Sequence, residues 1–142
     1  MLGFGKVAPD VILAAVWPDV STILQERGVA WLEENDLTDR DVFMNLLTEV
    51  WELWLATEDT ILKGVVVTGM REDELRILWA GGEKLENYMF LALCMLERYA
   101  LANGVDNVTL GGRKGWGKLL APLHYLPNAD GYGKSLTAAY MH

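Results

Sequence analysis

The sequence predicts an α+β protein (a mixed α/β sheet) in which an antiparallel meander is followed by a central helix and a parallel strand. Residues 51–56 and 61–70 are rich in β-branched and aromatic residues and are separated by turn formers, which indicates a hairpin. A third such run, 74–80, extends the hairpin, and the apolar segment 84–103 has helical spacing. The stretch Glu74–Tyr125 is therefore predicted to be the strand–helix–strand unit that the rest of the chain covers or extends.

Composition limits the class of protein. A length of 142 residues and a hydrophobic fraction of 51% predict one packed domain, 1–142. The formal charge of −8 argues against a broad nucleic-acid surface, because phosphate binding needs clustered Lys and Arg. The one cysteine, Cys94, lies in an apolar run and is expected to be a small buried hydrophobe. The apolar run in residues 1–17 is too short and interrupted for a signal peptide or a membrane span, so we expect a soluble protein made in a cytoplasm.

The first 48 residues are predicted to be helical cover. Pro9–Trp17 begins at a favourable proline, and Pro18 ends or kinks this helix. Asp19–Arg27 forms the second helix, and Gly28 supplies its left-handed terminus.

A third helix is predicted after a short apolar segment and an acidic loop. Residues 29–32 are apolar, and the acidic residues 33–36 are expected to form a solvated loop. Thr38 and Asp41 match a capping box, so the helix is predicted to span Thr38–Thr48.

The second half of the chain is predicted to complete the sheet. Because connections between parallel strands are right-handed crossovers, the strand after the central helix, Asn107–Gly111, is expected to lie parallel to the third strand. A short helix is predicted from Lys114 to about Ala121, then a turn-rich stretch, 127–133, and a closing strand, Lys134–Met141.

This order of elements resembles the GCN5-related N-acetyltransferase (GNAT) fold, from about Trp51 to the end. The segment 112–125, GRKGWGKLLAPLHY, is similar to the ending of small GNAT-like proteins encoded by tailed phages. The resemblance implies a phage protein located in the virion or the host cytoplasm. Other phage proteins are then the expected partners.

The same segment bears on catalysis. In the family it carries a Tyr that protonates the leaving thiolate of coenzyme A. Placing Tyr125 on the family's final aromatic residue puts Leu120 at the position of that Tyr, and a leucine cannot donate a proton. Tyr125 and Tyr132 are the candidate catalytic residues nearby in sequence, if the loop folds back.

The resemblance places the pyrophosphate site at Trp79–Leu85, where the family has Arg/Gln-x-x-Gly-x-Gly/Ala. With Gly81 as the first glycine, Glu83 occupies the second small position, and a carboxylate there would repel pyrophosphate. With Gly82 as the first glycine, Lys84 takes that position and would attract phosphate as a point charge. Gly81, Gly82 and Lys84 are thus the candidate cofactor-binding residues, and the glycine pair is otherwise a tight strand-to-helix turn.

A small anion or partner patch is a further candidate site. Its residues are Arg113, Lys114, Trp116 and Lys118. The cations are otherwise a solvated helix start, and the Trp is otherwise a core or groove-filling anchor. His124 has no carboxylate or second histidine at ligand spacing, so no metal site is expected.

Two functions remain open from the sequence. The first is a non-catalytic GNAT-fold phage protein without cofactor that acts as an interaction module, as a virion or infection-related component, with homo-oligomers allowed. The alternative is an acetyl-CoA-dependent N-acetyltransferase with a rearranged site built from Lys84, the amides after Gly82, and Tyr125 or Tyr132. Nucleic-acid contact is expected only through the small basic patch. The conformation of residues 80–86 distinguishes the two functions.

Overall fold

The computed structural model describes residues 2–111 and 116–136. In this part of the chain one sheet has the strand order β1-β2-β3-β4-β5-β7-β6. The strands are β1 Leu2–Val7, β2 Glu52–Glu58, β3 Ile61–Arg71, β4 Glu74–Gly82, β5 Asn107–Gly111, β6 Leu126–Asn128 and β7 Gly131–Ser135. The fold class is the mixed α+β class that the sequence predicts.

Helices cover both faces of the sheet. The α-helices are α1 Pro9–Val11, α2 Trp17–Arg27, α3 Val29–Glu34, α4 Asp39–Leu47, α5 Met89–Ala102 and α6 Trp116–Leu120. A π-helical turn, Ile12–Val16, joins α1 to α2, and short 3₁₀ turns lie before α5, Leu85–Asn87, and after α6, Ala121–Leu123.

The predicted meander is confirmed. Strands β2, β3 and β4 are consecutive antiparallel neighbours. Strand β5 pairs with β4 in parallel through Glu74↔Asn107 to Ile77↔Leu110, as the crossover rule predicts. Beyond Ile77, β4 continues to Gly82 alongside β3 and passes the described end of β5 at Gly111.

A β-bulge interrupts β4 at the point where it separates from β5. Val67 pairs with Trp79 and Thr68 pairs with Ile77, so Leu78 is the extra residue. Leu78 and Trp79 therefore both contact the same core although they are adjacent in sequence. Bulges bend a strand and increase its local twist.

Two hydrophobic cores lie on the two faces of the sheet. The first, which we call the amino-terminal core, packs α2 and α4 against the sheet and includes Val20, Leu46 and Val67. The second, the central-helix core, packs α5 against the other face and includes Leu96 and Leu120. The chain alternates between the two cores along β3, where Val66 faces α5 and its neighbours face the amino-terminal core.

The capping box that begins α4 is present as predicted. The Asp41 amide donates to Thr38 Oγ1 at 3.1 Å, and the Thr38 amide donates to Asp41 Oδ2 at 2.8 Å. The hydrogen bonds from the backbone and side chain of Thr38 lower the pKa of Asp41. The helix spans Asp39–Leu47, within the predicted range.

Several predicted elements need correction. Leu2–Val7 lies in the segment 1–48 that was predicted to be helical, but it pairs antiparallel with β2 as an edge strand. The predicted acidic loop, 33–36, is in part helix α3, which includes Glu33 and Glu34. The central helix begins at Met89 rather than 84 because the 3₁₀ turn comes first. Cys94 is half-buried, not fully buried.

The carboxyl-terminal elements also differ from the prediction. The stretch predicted as turns, 127–133, forms most of the β6–β7 hairpin, in which Asn128 pairs with Gly131. The predicted closing strand, Lys134–Met141, begins inside β7, which ends at Ser135, and its residues after Leu136 lie outside the described residues.

Candidate active site

An open cleft of about 300 Å³ lies where β4 and β5 separate. On the strand side it is lined by Ile77–Ala80 of β4 and by Leu110 and Gly111 of β5. On the helix side its lining includes Arg27 at the end of α2 and Trp31 and Glu34 of α3. We call this space the β4–β5 cleft. It is a concave site with aromatic, apolar and charged groups of the kind that binds small molecules.

Stacked indole rings form the aromatic wall of the cleft. Trp31 and Trp79 stack with ring centroids 5.9 Å apart and planes at 17°, and Trp51 contacts Trp31 at 5.9 Å. Trp79 is only 5% exposed, and its Nε1 has no hydrogen-bond partner among the described residues. A Cβ at Gly81 would overlap the Trp79 ring, so the first candidate glycine is needed for packing of this indole against β4.

The glycine pair lies within β4 and does not form the turn itself, which corrects that part of the prediction. Gly81 pairs with Val65 and Gly82 pairs with Gly64. Gly82 has φ +153°, and an added Cβ would lie 2.5 Å from Gly64 Cα, so a larger residue does not fit there. Only glycine allows this close approach of β3 and β4.

The turn from β4 to α5 is made by Glu83 and Lys84. The Glu83 amide donates to the Lys63 carbonyl at 3.0 Å, and the Glu83 carboxylate lies 3.5 Å from Lys63 Nζ. Lys84 adopts a left-handed conformation with φ 48°, is exposed, and has no ion pair among the residues described. Its ammonium is therefore available to an anion at the amino-terminal end of the central helix segment.

Leu120 and Tyr125 are both buried in the central-helix core. Leu120 has no exposed surface, and Tyr125 is 1% exposed. The Tyr125 hydroxyl donates to Glu97 Oε2 at 2.8 Å, and Lys134 Nζ donates to Glu97 Oε1 at 3.0 Å. Lys134 also lies 5.5 Å from the centroid of the Tyr125 ring. The candidate acid Tyr125 is thus part of a buried polar cluster and does not line the cleft.

Tyr132 does not line the cleft itself but pairs with a residue that does. It is half-buried on β7, directly opposite Leu110 in the β5–β7 register, and Leu110 lines the cleft. Its hydroxyl lies 3.1 Å from the position of a Cβ at Gly117 of α6. Of the two candidate tyrosines, Tyr132 is the one with its hydroxyl beside α6, which is the element that carries the acid in the resemblance.

The candidate patch is only partly covered by the structure. Arg113 and Lys114 lie outside the described residues, Trp116 is the first residue of α6, and Lys118 is exposed on α6.

A second cavity, between α5 and the sheet, is lined by apolar groups and shares three residues with the cleft. The described residues contain no group of three or more His, Cys, Asp and Glu side chains that could hold a metal ion.

Sequence reasoning missed the helix side of the cleft. Arg27, Trp31 and Glu34 belong to segments predicted as a covering helix, an apolar run and a solvated loop. Their spacing carries no local signal for a site, because they reach the cleft only through the packing of α2 and α3 on β4.

In the part of the chain described, no helix has both the length and the apolar character required to cross a membrane.

Comparison with known proteins identifies the fold. The chain matches no family model and no curated protein sequence. It is similar in structure to the aminoglycoside 6'-N-acetyltransferase from Enterococcus faecium, with TM-score 0.71, 13% identity, and coverage of 94% of this chain and 97% of that one. It is also similar to the ribosomal-protein-S18-alanine N-acetyltransferase from Escherichia coli, with TM-score 0.67, 14% identity, and coverage of 96% and 94%.

A third similar structure is an aminoglycoside 6'-N-acetyltransferase complexed with coenzyme A, with TM-score 0.69 and 14% identity over 94% of this chain and 97% of that chain. These neighbours are GNAT acetyltransferases, and the chain has a GNAT-like fold. At such low identity the similarity concerns the fold alone.

Proposed function

We propose that this protein is an N-acyltransferase that uses acetyl-CoA and holds the donor thioester where β4 and β5 separate. The observation that carries this proposal is the open cleft of about 300 Å³ beside the bulge at Leu78. Concave sites lined by aromatic and apolar groups with a few charged groups are where small molecules bind. The coenzyme A complex of a structural neighbour supports coenzyme A as the ligand class.

The charges and elements around the cleft suggest how donor and acceptor approach. The exposed Lys84 would attract the phosphates of coenzyme A, and the backbone amides at the start of the central helix segment would assist it. The acceptor amine would enter from the α2–α3 side, between Arg27 and Glu34. These assignments keep donor and acceptor on opposite sides of the sheet.

The reaction assigned to the cleft is attack of a neutral amine on the thioester carbonyl. The new C–N bond forms, the C–S bond breaks, the amine nitrogen loses a proton to water or to a base, and the departing thiolate gains one. We assign the proton donor to Tyr132, because Tyr125 already donates its hydroxyl proton to Glu97 in the core.

Calorimetric titration with coenzyme A and acetyl-CoA tests the proposal directly. We expect both to bind with micromolar dissociation constants, and acetyl-CoA to release thiol in the presence of an accepting amine. Tyr132→Phe should lower the rate of thiol release about 100-fold with little change in coenzyme binding. The matched control is Tyr125→Phe, at the tyrosine whose hydroxyl donates to Glu97 in the core, which should release thiol at the wild-type rate when folded. No binding at millimolar coenzyme would contradict the proposal.

A second candidate function is the non-catalytic phage protein that acts through protein partners, in the virion or the host cytoplasm. It is favoured by the fully buried Leu120 at the position of the family's acid. It is also favoured by the Glu83 carboxylate, which lies in the turn between β4 and α5 where the resemblance places the pyrophosphate site. Mass spectrometry of purified virions and mixing with candidate phage proteins would test it, and light scattering would test for a homo-oligomer. Micromolar acetyl-CoA binding with amine-dependent turnover would count against this candidate.

A further inference from the structure

Arg76 of β4 is a half-buried cation on the face of the sheet that the amino-terminal helices cover. Its neighbours Leu75 and Ile77 belong to the central-helix core, so its own side chain lies on the opposite face. Arg76 Nη1 donates to Thr109 Oγ1 at 3.4 Å, across the β4–β5 pair that these two residues form. Arg76 makes no ion pair with any residue that the structure describes. Most of the N–H donors of its guanidinium are therefore unused.

The nearest acidic residue in the strand, Glu74, has other partners. Glu74 Oε2 accepts from the Thr109 hydroxyl at 3.2 Å, and Glu74 Oε1 lies 3.8 Å from Arg71 Nη2. The Thr109 hydroxyl thus lies between the two charges, and no direct contact joins them. A partly buried cation without a direct counter-ion has lost part of its hydration and gains free energy when an anion binds it.

The guanidinium lies between the β4–β5 cleft and a second open space. Arg76 Nη2 is 3.9 Å from the position of a Cβ at Gly111, and Gly111 lines the cleft. Because residue 111 is a glycine, it has no side chain that could cover Nη2. Thr109 lines the second space, which has a volume of about 340 Å³ and is formed by residues of β4, β5, β6 and β7. A ligand in the cleft can therefore extend over Gly111 to the guanidinium.

We propose that Arg76 determines acceptor specificity by binding a carboxylate of the acceptor, whose amine lies in the cleft. The acceptor class is then an amino acid or a short peptide with a free carboxyl group, and this inference rests on the proposed function. The planar guanidinium presents paired N–H donors that match the two oxygens of a carboxylate. A monoanion fits better than a phosphate dianion, because Glu74 and the net charge of −8 would repel a second negative charge.

Acceptors that differ only in their carboxyl group test the inference. The probes are glycine, glycylglycine and triglycine, each compared with its carboxyl-terminal amide at equal concentrations of neutral amine. Thiol release from acetyl-CoA gives kcat/KM, and calorimetric titration into protein saturated with coenzyme A gives the affinity. We expect at least one acid to exceed its amide about tenfold in both measurements, since hydrogen bonds between charged groups are strong.

The outcomes separate this inference from the proposed function. If coenzyme A does not bind, the proposed function fails. If coenzyme A binds but no acid is preferred over its amide in any of the three pairs, the carboxylate site is overturned and the proposed function stands.

Substitution of Arg76 assigns the preference to this residue. Arg76→Gln keeps a donor for Thr109 but removes the charge, and should lower kcat/KM for the preferred acid about tenfold with little change for its amide. The matched control is Arg98→Gln, at an exposed position of α5 on the other face of the sheet, which should leave the ratio of acid to amide unchanged. Arg76→Lys keeps the charge without the paired donors and should lower the ratio less. An unchanged ratio in a folded Arg76→Gln protein, or in Arg76→Lys if the first variant does not fold, would overturn the inference.

Discussion

The hydroxyl group of Thr68 makes hydrogen bonds to the buried Trp54 and the partly buried Glu52. Its Oγ1 accepts from Trp54 Nε1 at 2.9 Å and donates to Glu52 Oε1 at 3.1 Å. Trp54 is 3% exposed, so its N–H cannot turn to water. We expect Thr68→Val, which keeps the shape and removes the hydroxyl, to lower the free energy of unfolding by about 2 kcal/mol in urea titrations. Thr68→Ser keeps the hydroxyl and should lose clearly less; equal losses in the two variants would contradict this account.

The adjoining carboxyl group gives a pH-dependent prediction. Burial raises the pKa of Glu52, while the Thr68 hydrogen bond and the charge of Lys6 act in the opposite direction. Because the pKa of Glu52 is higher in the folded than in the unfolded protein, the protonated carboxyl group favours the folded state. This contribution to stability is present below the unfolded pKa and is lost as pH rises through the folded pKa.

Glu52→Gln should therefore be more stable than the wild type at pH 7. The amide oxygen still accepts from Thr68, and no charge has to be desolvated. We expect a Tm increase of roughly 1–3 °C at pH 7 that shrinks towards pH 4, measured by circular dichroism. A difference that stays constant across this range would show that the carboxyl charge is not its cause.

At the scale of the element, the turn between β4 and α5 carries opposite charges at adjacent positions. Lys84→Ala should weaken coenzyme A binding about tenfold, and Glu83→Gln should strengthen it, because one group attracts phosphate and the other repels it. Both effects should diminish at high salt, since exposed charges are screened. Arg40→Ala, an equal loss of charge at an exposed position of α4, is the control. Equal weakening by the two variants would indicate a general charge effect rather than a phosphate site.

The cluster that connects α5 to β7 should be costly to break. Glu97 is 3% exposed and receives a hydrogen bond from Lys134. Lys134→Met removes the cation from this buried carboxylate and should lower the free energy of unfolding by about 3–5 kcal/mol in urea. Arg71→Ala breaks a pair at 3.8 Å, in which Arg71 is largely exposed, and should cost less than about 1 kcal/mol. Similar losses in both variants would contradict the role of burial.

The elements that carry a short-range sequence signal were the ones predicted from the sequence. The capping box at Thr38, the turn formers between β2 and β3, and the apolar spacing of the central helix are all short-range features. Strand β1 was missed because Leu2–Val7 contains two glycines and becomes a strand through its pairing with β2. The β6–β7 hairpin was taken for turns because Pro127 and its neighbouring glycines are turn formers, whereas pairing with β5 determines its conformation.

The candidate site was predictable only on its strand side. Gly82 and Lys84 were candidates because the resemblance to the GNAT fold places a pyrophosphate site at Trp79–Leu85. Trp31 reaches the cleft because α3 packs on β4, a contact between residues distant in sequence. The burial of Tyr125 against Glu97 likewise depends on the position of α5 relative to the last hairpin, which no local pattern encodes.

At the scale of the whole molecule, coenzyme binding should stabilise the fold. The walls of the cleft come from α2, α3, β4 and β5, so a ligand bound there contacts both halves of the chain and is released on unfolding. At a free concentration 100-fold above the dissociation constant, coenzyme A should add about 2.7 kcal/mol to the free energy of unfolding. Thermal melts at increasing coenzyme A should therefore show a rising Tm. Adenosine, which lacks the pantetheine arm and the phosphates, is the control and should leave Tm unchanged.

The extra residue in β4, Leu78, affects the bend of the sheet but not the pairing of the residues on either side of it. If Leu78 were deleted, Ile77 would still oppose Thr68 and Trp79 would still oppose Val67, and each would keep its face of the sheet. The shortened strand would form a regular ladder with less bend and twist. Deletion of one residue from a central strand usually prevents folding, because every following side chain moves to the other face of the sheet. Deletion of Leu78 is instead expected to yield a folded protein with a flatter sheet and an altered cleft.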